Sequence, residues 1–311
     1  MRIMFTMMNA ARLAVGIQGL GLAETAYQSA SAYARERLQG RSLSGPKHAD
    51  KPADPIIVHP EVRRTLLTMR AYIQGARGLV LWTAMALDRA ARHPDAAERL
   101  AAEDLVSLMT PIIKALVADI GVEATNHGLQ VFGGAGYIRD TGMEQLVRDA
   151  RIAQIYEGTN GVQALDLAGR KLVQENGRLL RRFFYPVSQF IAENSGLAGM
   201  QPFVQPLAKA LARLQEATLW LAQQGLRDRE EVGAAATDYL RLFGLVALAY
   251  MWGRSAKLAH GKIASDKDGF YSAKLATARF FMSRLLPQTQ GLLTALKSGA
   301  GPIMNFRQEW F

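Results

Sequence analysis

The chain has 311 residues, 49% hydrophobic and 21% charged, enough for one large or two medium cores and too apolar for wholesale disorder. With no cysteine it can hold no disulfide, thiol nucleophile or cysteine-ligated metal, which fits a reducing compartment and makes the cytoplasm the expected location. Lysine and arginine total 37 against 27 acids, a net +10 that favours anionic partners.

Almost every segment carries the helical period, and no alternating run flanked by turn residues makes a strand, so the chain reads as all-α. A first long helix is expected over 5 to 39, with Phe5, Met8, Leu13, Val15, Leu20, Leu22 and Tyr27 recurring on neighbouring faces and "GIQGLGLAE" at 16 to 24 as small residues for close helix packing. The apolar N-terminus lacks a basic start and a small-residue cleavage site, so no signal peptide is read there. "GRSLSGPKHADKPADP" follows as an exposed, mobile loop. A second helix from Pro60 to about His93 has one stripe of Val62, Leu66, Met69, Ile73 and Val80. A third covers roughly 95 to 129, with a kink expected at Pro111.

After the loop "FGGAGYIRDTG", the amphipathic run "EQLVRDARIAQIY" leads to "QIYEGTNGVQ" at 154 to 163, where a second helical period opens with Val162, Leu165, Leu167 and Leu172 as core candidates. Glu157 thus stands at a joint between helices. Gly158 supplies backbone freedom there, and Thr159 or Asn160 can cap the next helix. The acid either ends a helix or is a functional carboxylate; spacing leaves both open.

Beyond the break "NSGLAGMQP", helices at about 203 to 226, 230 to 264 and 269 to 297, with one before the break, suit a four-helix bundle. The division expected is 1–176 and 177–311. The longest apolar run, "LFGLVALAYMW", is about half of the ~20 residues a bilayer span needs, so no membrane span is expected.

The chemical motifs are few. No G-x-S-x-G elbow appears, and five scattered histidines with no helical ligand pair argue against a metal site. "LQVFGGAGYIRD" holds three glycines whose amides can approach an anion, but a helix rather than a strand precedes it, so it is no dinucleotide fingerprint of the strand–helix kind. The positive excess around "GRKLVQENGRLLRR" is a solvated helix face, a surface for nucleotide or substrate phosphates, or a nucleic-acid surface; no zinc-finger, basic-zipper or aromatic RNA-binding pattern supports the last.

"QVFGGAGY" followed after one helix by "RDARIAQIYEGTNGVQ" resembles the C-terminal helical domain of the acyl-CoA dehydrogenase family, over about residues 1 to 175. "ERLQGRSLSG" and the added helical C-terminal region resemble most closely its 3-methylmercaptopropionyl-CoA dehydrogenase-like branch. The resemblance implies FAD-dependent α,β-dehydrogenation of an acyl-CoA thioester. Glu157 matches the base that takes the α-proton, its own N–H donating to the thioester oxygen, with Ile155 and Tyr156 as an apolar wall. Gln130, Val131, Phe132, Gly133 and Gly134 match the stretch that meets the flavin nucleotide of a neighbouring subunit, Arg37 the arginine at the flavin pyrophosphate, and Thr159 and Gly161 further flavin contacts. Asn9, Arg12 and Gly158 match substrate-side positions.

The resemblance further implies an electron-transfer flavoprotein or similar acceptor and a homodimer or homotetramer. The family has an N-terminal helical domain and a central β-domain ahead of the matching segment, so a truncated member is expected, one that holds the base but retains flavin weakly. Gly40-Arg41 and a long polar loop stand where the family has an aromatic-glycine pair. Two other readings stay open: an oxidase-like enzyme reoxidised by oxygen, and a non-catalytic helical remnant that oligomerises or binds DNA or another anion.

Overall fold

A computed structural model describes the backbone of residues 2–311 and all side chains except those of residues 1 to 6 and Asn9. Among the described residues the regular elements are helices; the one β contact is an isolated antiparallel bridge between Leu38 and Pro55. Twelve α-helices follow in order: α1 (Arg2–Glu36), α2 (Pro60–Arg92), α3 (Ala96–Phe132), α4 (Gly134–Tyr137), α5 (Met143–Arg151), α6 (Asn160–Leu165), α7 (Arg178–Asn194), α8 (Gln201–Gly225), α9 (Arg229–Lys262), α10 (Phe270–Phe280), α11 (Gln288–Leu296) and α12 (Gly301–Met304).

Small residues set the first packing layer. Ala23, Ala26, Ala30 and Ala34 of α1 are fully buried, whereas Met8, Leu22 and Tyr27 are half-buried and Phe5 lies outside the described side chains. A Cβ on Gly19 would lie 2.8 Å from the Val117 carbonyl oxygen, and one on Gly121 would lie 3.0 Å from the Gly19 backbone, so α1 and α3 touch backbone to backbone. Contacts advance together along both helices, Gly16 with Ile113 and Ala26 with Gly128, so the two run in the same direction. At their far end Tyr33 stacks on Phe132, centroids 4.1 Å apart. The helix α3 continues through Pro111.

The second half is joined to the first by α9. Trp252, almost fully buried, donates its indole N–H to the Ala71 carbonyl oxygen of α2 at 3.0 Å, and Gly244 sits under Leu116 of α3. On its other side α9 packs against α8, α10 and α11, and Phe183 and Phe190 of α7 meet Phe243 and Tyr250. One continuous apolar core therefore includes residues from Leu13 to Leu296. The segments Ala96–Phe132 and Arg229–Ser265 are long and apolar enough by composition to cross a bilayer, but 83% and 67% of their apolar windows are buried inside this chain.

Three sequence expectations need correction. The helix expected over 269 to 297 breaks at a π turn, Phe281–Leu285, followed by Pro287. Val162 and Leu165, expected in the core, are half exposed. The inward face is instead Gln163, Ala164, Leu167 and Ala168, an ordinary helical spacing on which Val162 and Leu165 do not fall, and the π turn at Asp166–Lys171 then carries that face on to Leu172. The loop after α1 is exposed along most of its length but is organised around the buried carboxylate of Asp54, which accepts from the N–H groups of Ser42 (2.9 Å), Lys47 (3.0 Å) and His48 (2.8 Å) and pairs with Arg41. Those bonds, led by the one from Ser42, hold its pKa down to about 2.

Candidate active site

Between α5 and α6 the chain turns sharply. Glu157 has φ +57° and Gly158 φ +83°, both left-handed. The first is costly for a residue with a Cβ; the second suits a glycine, and a Cβ there would also come 2.7 Å from Nε2 of Gln163. Thr159 caps α6, its Oγ1 accepting from the Val162 N–H at 3.3 Å. Gly161 is exposed at the first turn of that helix.

Three helices hold this turn. From α1, Arg12, buried to 8% exposure, donates through Nε to the Glu157 carbonyl oxygen at 3.3 Å. From α6, fully buried Gln163 donates to the carbonyls of Glu157 and Gly158, each at 3.4 Å, while its Oε1 has no partner. From α3, Asp119 accepts from Gln154 at 2.6 Å and Asn160 at 2.7 Å, and fully buried Lys114 donates to Asn160 Oδ1 at 3.0 Å. Burial pushes the Asp119 pKa up, the bonds from Gln154 and Asn160 opposing it, and burial pushes the Lys114 ammonium pKa down against the pull of Asp119.

The Glu157 side chain is half-buried, and among the described residues no acceptor takes its backbone N–H. This acid and this amide therefore share one strained residue that three helices hold. Ile155 and Tyr156, expected as an apolar wall, are 48% and 38% exposed in this chain, and Tyr156 donates its hydroxyl to Gln18 of α1.

Arg37, Gln130, Val131, Phe132, Gly133 and Gly134 converge on one cavity of about 710 Å³, with Tyr33, Gly40 and His59 also on its wall. Gly133 has φ +62°, and a Cβ on Gly134 would meet nothing within 4 Å, so nothing inside the chain demands a glycine at 134 and the backbone there lies open to the cavity. A guanidinium, a stacked aromatic pair and an open glycine backbone fit the phosphates and flat ring of a nucleotide. This cavity lies at the C-terminal end of α1 and the Glu157 turn lies beside Arg12 in its first half: Arg12 to Arg37, one residue past the helix, is 25 residues, about 37 Å at 1.5 Å each. Asn9, expected near substrate, lies outside the described side chains.

Sequence reading missed Lys114 and Asp119. Their signal was present as two opposite charges inside the apolar run "LMTPIIKALVADI" of a buried helix, where an ionisable group needs a reason.

A family model described as acyl-CoA dehydrogenase, C-terminal domain matches residues 1–172, and one described as acetyl-CoA dehydrogenase C-terminal like matches residues 183–307. The chain belongs to the acyl-CoA dehydrogenase family. It is similar to 3-methylmercaptopropionyl-CoA dehydrogenase of Ruegeria pomeroyi, 40% identical over 288 residues that make up 92% of this chain and 48% of the relative. It is also similar to the broad-specificity linear acyl-CoA dehydrogenase FadE5 of Mycobacterium tuberculosis, 32% identical over 99% of this chain and 52% of the relative. The chain spans about half the length of the curated relatives it matches.

Among solved structures, Caenorhabditis elegans ACDH-11 in complex with C11-CoA superposes with a TM-score of 0.75 at 19% identity, over 98% of this chain and 47% of that one. An acyl-CoA dehydrogenase complexed with FAD from Bacillus anthracis gives 0.71 at 17%, over 94% and 50%. At such identities these two establish a shared helical fold. The family read from the "QVFGG" and "YEGTNG" motifs is thereby confirmed.

Proposed function

We propose that this chain carries the catalytic base and part of the flavin site for FAD-dependent α,β-dehydrogenation of an acyl-CoA thioester. The observation that carries the proposal is the Glu157 turn, where a half-buried carboxylate and an uncommitted N–H sit on one residue held by α1, α3 and α6. Glu157 takes the proton from Cα of the thioester. Its N–H donates to the thioester oxygen and steadies the charge that develops there as the proton leaves. FAD, when bound, would supply the acceptor for the hydride that leaves Cβ, so that the product is the α,β-unsaturated thioester.

Arg37 and residues 130 to 134 would hold the nucleotide end of the cofactor, with Thr159 and Gly161 serving beside the base. One dinucleotide on one chain does not reach both sets across about 37 Å of helix. The proposal therefore includes a second copy of the chain, in a homodimer or homotetramer. Gly158 keeps the backbone beside the substrate narrow. Arg12 acts on the turn, through the Glu157 carbonyl. An electron-transfer flavoprotein or similar acceptor and a cytoplasmic location belong to the same reading.

The test is the flavin spectrum of the protein with added FAD, followed by anaerobic addition of a panel of acyl-CoA thioesters. Bleaching by a thioester, slowed by at least about 10²-fold in Glu157→Gln, is expected for loss of a general base. Protein that never binds FAD, or bleaching equally fast in Glu157→Gln, overturns the proposal.

A further inference from the structure

We infer that Asp119 is the positioning residue for the Glu157 turn, a single carboxylate oxygen gripped from both sides of the base. The inference rests on the reading of Glu157 as base and adds what sets its place. Oδ1 of Asp119 accepts from Gln154, three residues before Glu157, and from Asn160, three residues after it, at 2.6 and 2.7 Å. Between those two residues the chain forms only turns and bends, passes through left-handed φ twice, and makes few backbone bonds of its own, such as those of the Ile155 and Tyr156 N–H groups to the Ile152 carbonyl. Fixing both ends of such a segment to one point on α3 removes most of its freedom.

The grip has a defined polarity. Asn160 gives its amide N–H₂ to Asp119 and to the Ala115 carbonyl oxygen (3.1 Å) and offers Oδ1 to the Lys114 ammonium. The reverse orientation would aim an N–H₂ at an ammonium, so the amide has one setting. Lys114 and Asp119 thus stand five residues apart on α3, with the first residue of α6 wedged between opposite charges. Apolar side chains at 114 and 119 would pack this helix at least as well, since buried charges are a poor source of stability. What they would not supply is an acceptor for Gln154 and a fixed orientation for Asn160.

The experiment compares Asp119→Ala and Asp119→Asn with the parent chain by amide hydrogen exchange, and by kcat and KM on an acyl-CoA with added FAD. Asp119→Ala is expected to speed exchange at residues 155 to 160 by at least about tenfold while the α1 and α3 core amides are unchanged, from the loss of two charge-assisted bonds. In the same variant kcat should fall by about 10²-fold with KM unchanged, the size expected for a misplaced catalytic group. Asp119→Asn keeps an oxygen at the same point and should recover both.

Unchanged exchange at 155 to 160 in Asp119→Ala overturns the inference. So does faster exchange throughout α3 that Asp119→Asn fails to recover, because Asp119 would then only support its helix. A loosened turn with unchanged kcat likewise removes the positioning role. Glu157→Gln, assayed in parallel, separates this from the function itself: undiminished turnover there sinks the base assignment, and the exchange data still judge the grip.

Discussion

The contact between α1 and α3 can be tested with one substitution made twice. Replacing Gly19 by alanine puts a Cβ 2.8 Å from the Val117 carbonyl oxygen and 3.2 Å from the Ala118 Cα, both backbone atoms that cannot swing aside. Relief requires the helices to part along a layer of buried alanines, and overpacking of this kind costs about 1–3 kcal/mol. Gly21, two residues on in the same helix, is exposed, and a Cβ there meets nothing within 4 Å. Both variants gain the same helix propensity, about 0.8–1 kcal/mol, and lose the same freedom in the unfolded chain, so these effects cancel in the difference. Gly21→Ala should stabilise by roughly that amount, and Gly19→Ala should lie about 1–3 kcal/mol below it. Urea unfolding followed by far-UV circular dichroism reads both, with equal slopes confirming a common unfolded state. Gly19→Ala as stable as Gly21→Ala would refute the close approach of α1 to α3.

The Asp54 loop should open in acid. Its folded pKa of about 2 lies below the ordinary value of 3.8, so the stability it lends is complete above the ordinary value and is lost as pH falls toward 2. Pepsin cleavage near Leu43, which is 90% exposed, should rise across that interval, whereas Asp54→Ala should already be cut at pH 4; identical profiles would count against the role given to Asp54. At the junction of α3 with α7, buried Asp104 accepts from Arg178 Nε (3.0 Å) and Nη2 (3.1 Å) and from Arg182 Nε (3.1 Å). The two guanidinium side chains are about a third exposed and can rehydrate, so Asp104→Ala should cost only about 1–3 kcal/mol in thermal unfolding. No measurable shift would mean that this cluster does not join the two helices.

Helical period made the fold class and the long helices readable, because stripes such as Leu66, Met69, Ile73 and Val80 are both periodic and buried. The inner face of α1 was harder, since Ala23, Ala26, Ala30 and Ala34 carry little hydrophobic signal yet pack where side chains are shortest. Val162 and Leu165 misled because the buried face of α6 carries a polar Gln163 and a small Ala164, while the two large apolar residues stand outside it. The Glu157 joint was legible from Gly158 and the Thr159 cap, both local features. Its supports were not: Asp119 lies 35 residues from Gln154 and 41 from Asn160, and no local pattern joins positions that far apart.

The left-handed backbone of Glu157 has an evolutionary consequence. A residue with a Cβ pays roughly 1–2 kcal/mol to stand in that conformation, and glycine would stand there nearly free of strain. Selection for stability alone would therefore drive this position to glycine, and a β-branched side chain would be the most strained choice. Lineages of this chain that no longer need the carboxylate should drift to glycine at 157 early. Retention of the acid in a population of sequences would then mark continued chemistry, read from a position at which folding by itself prefers something else.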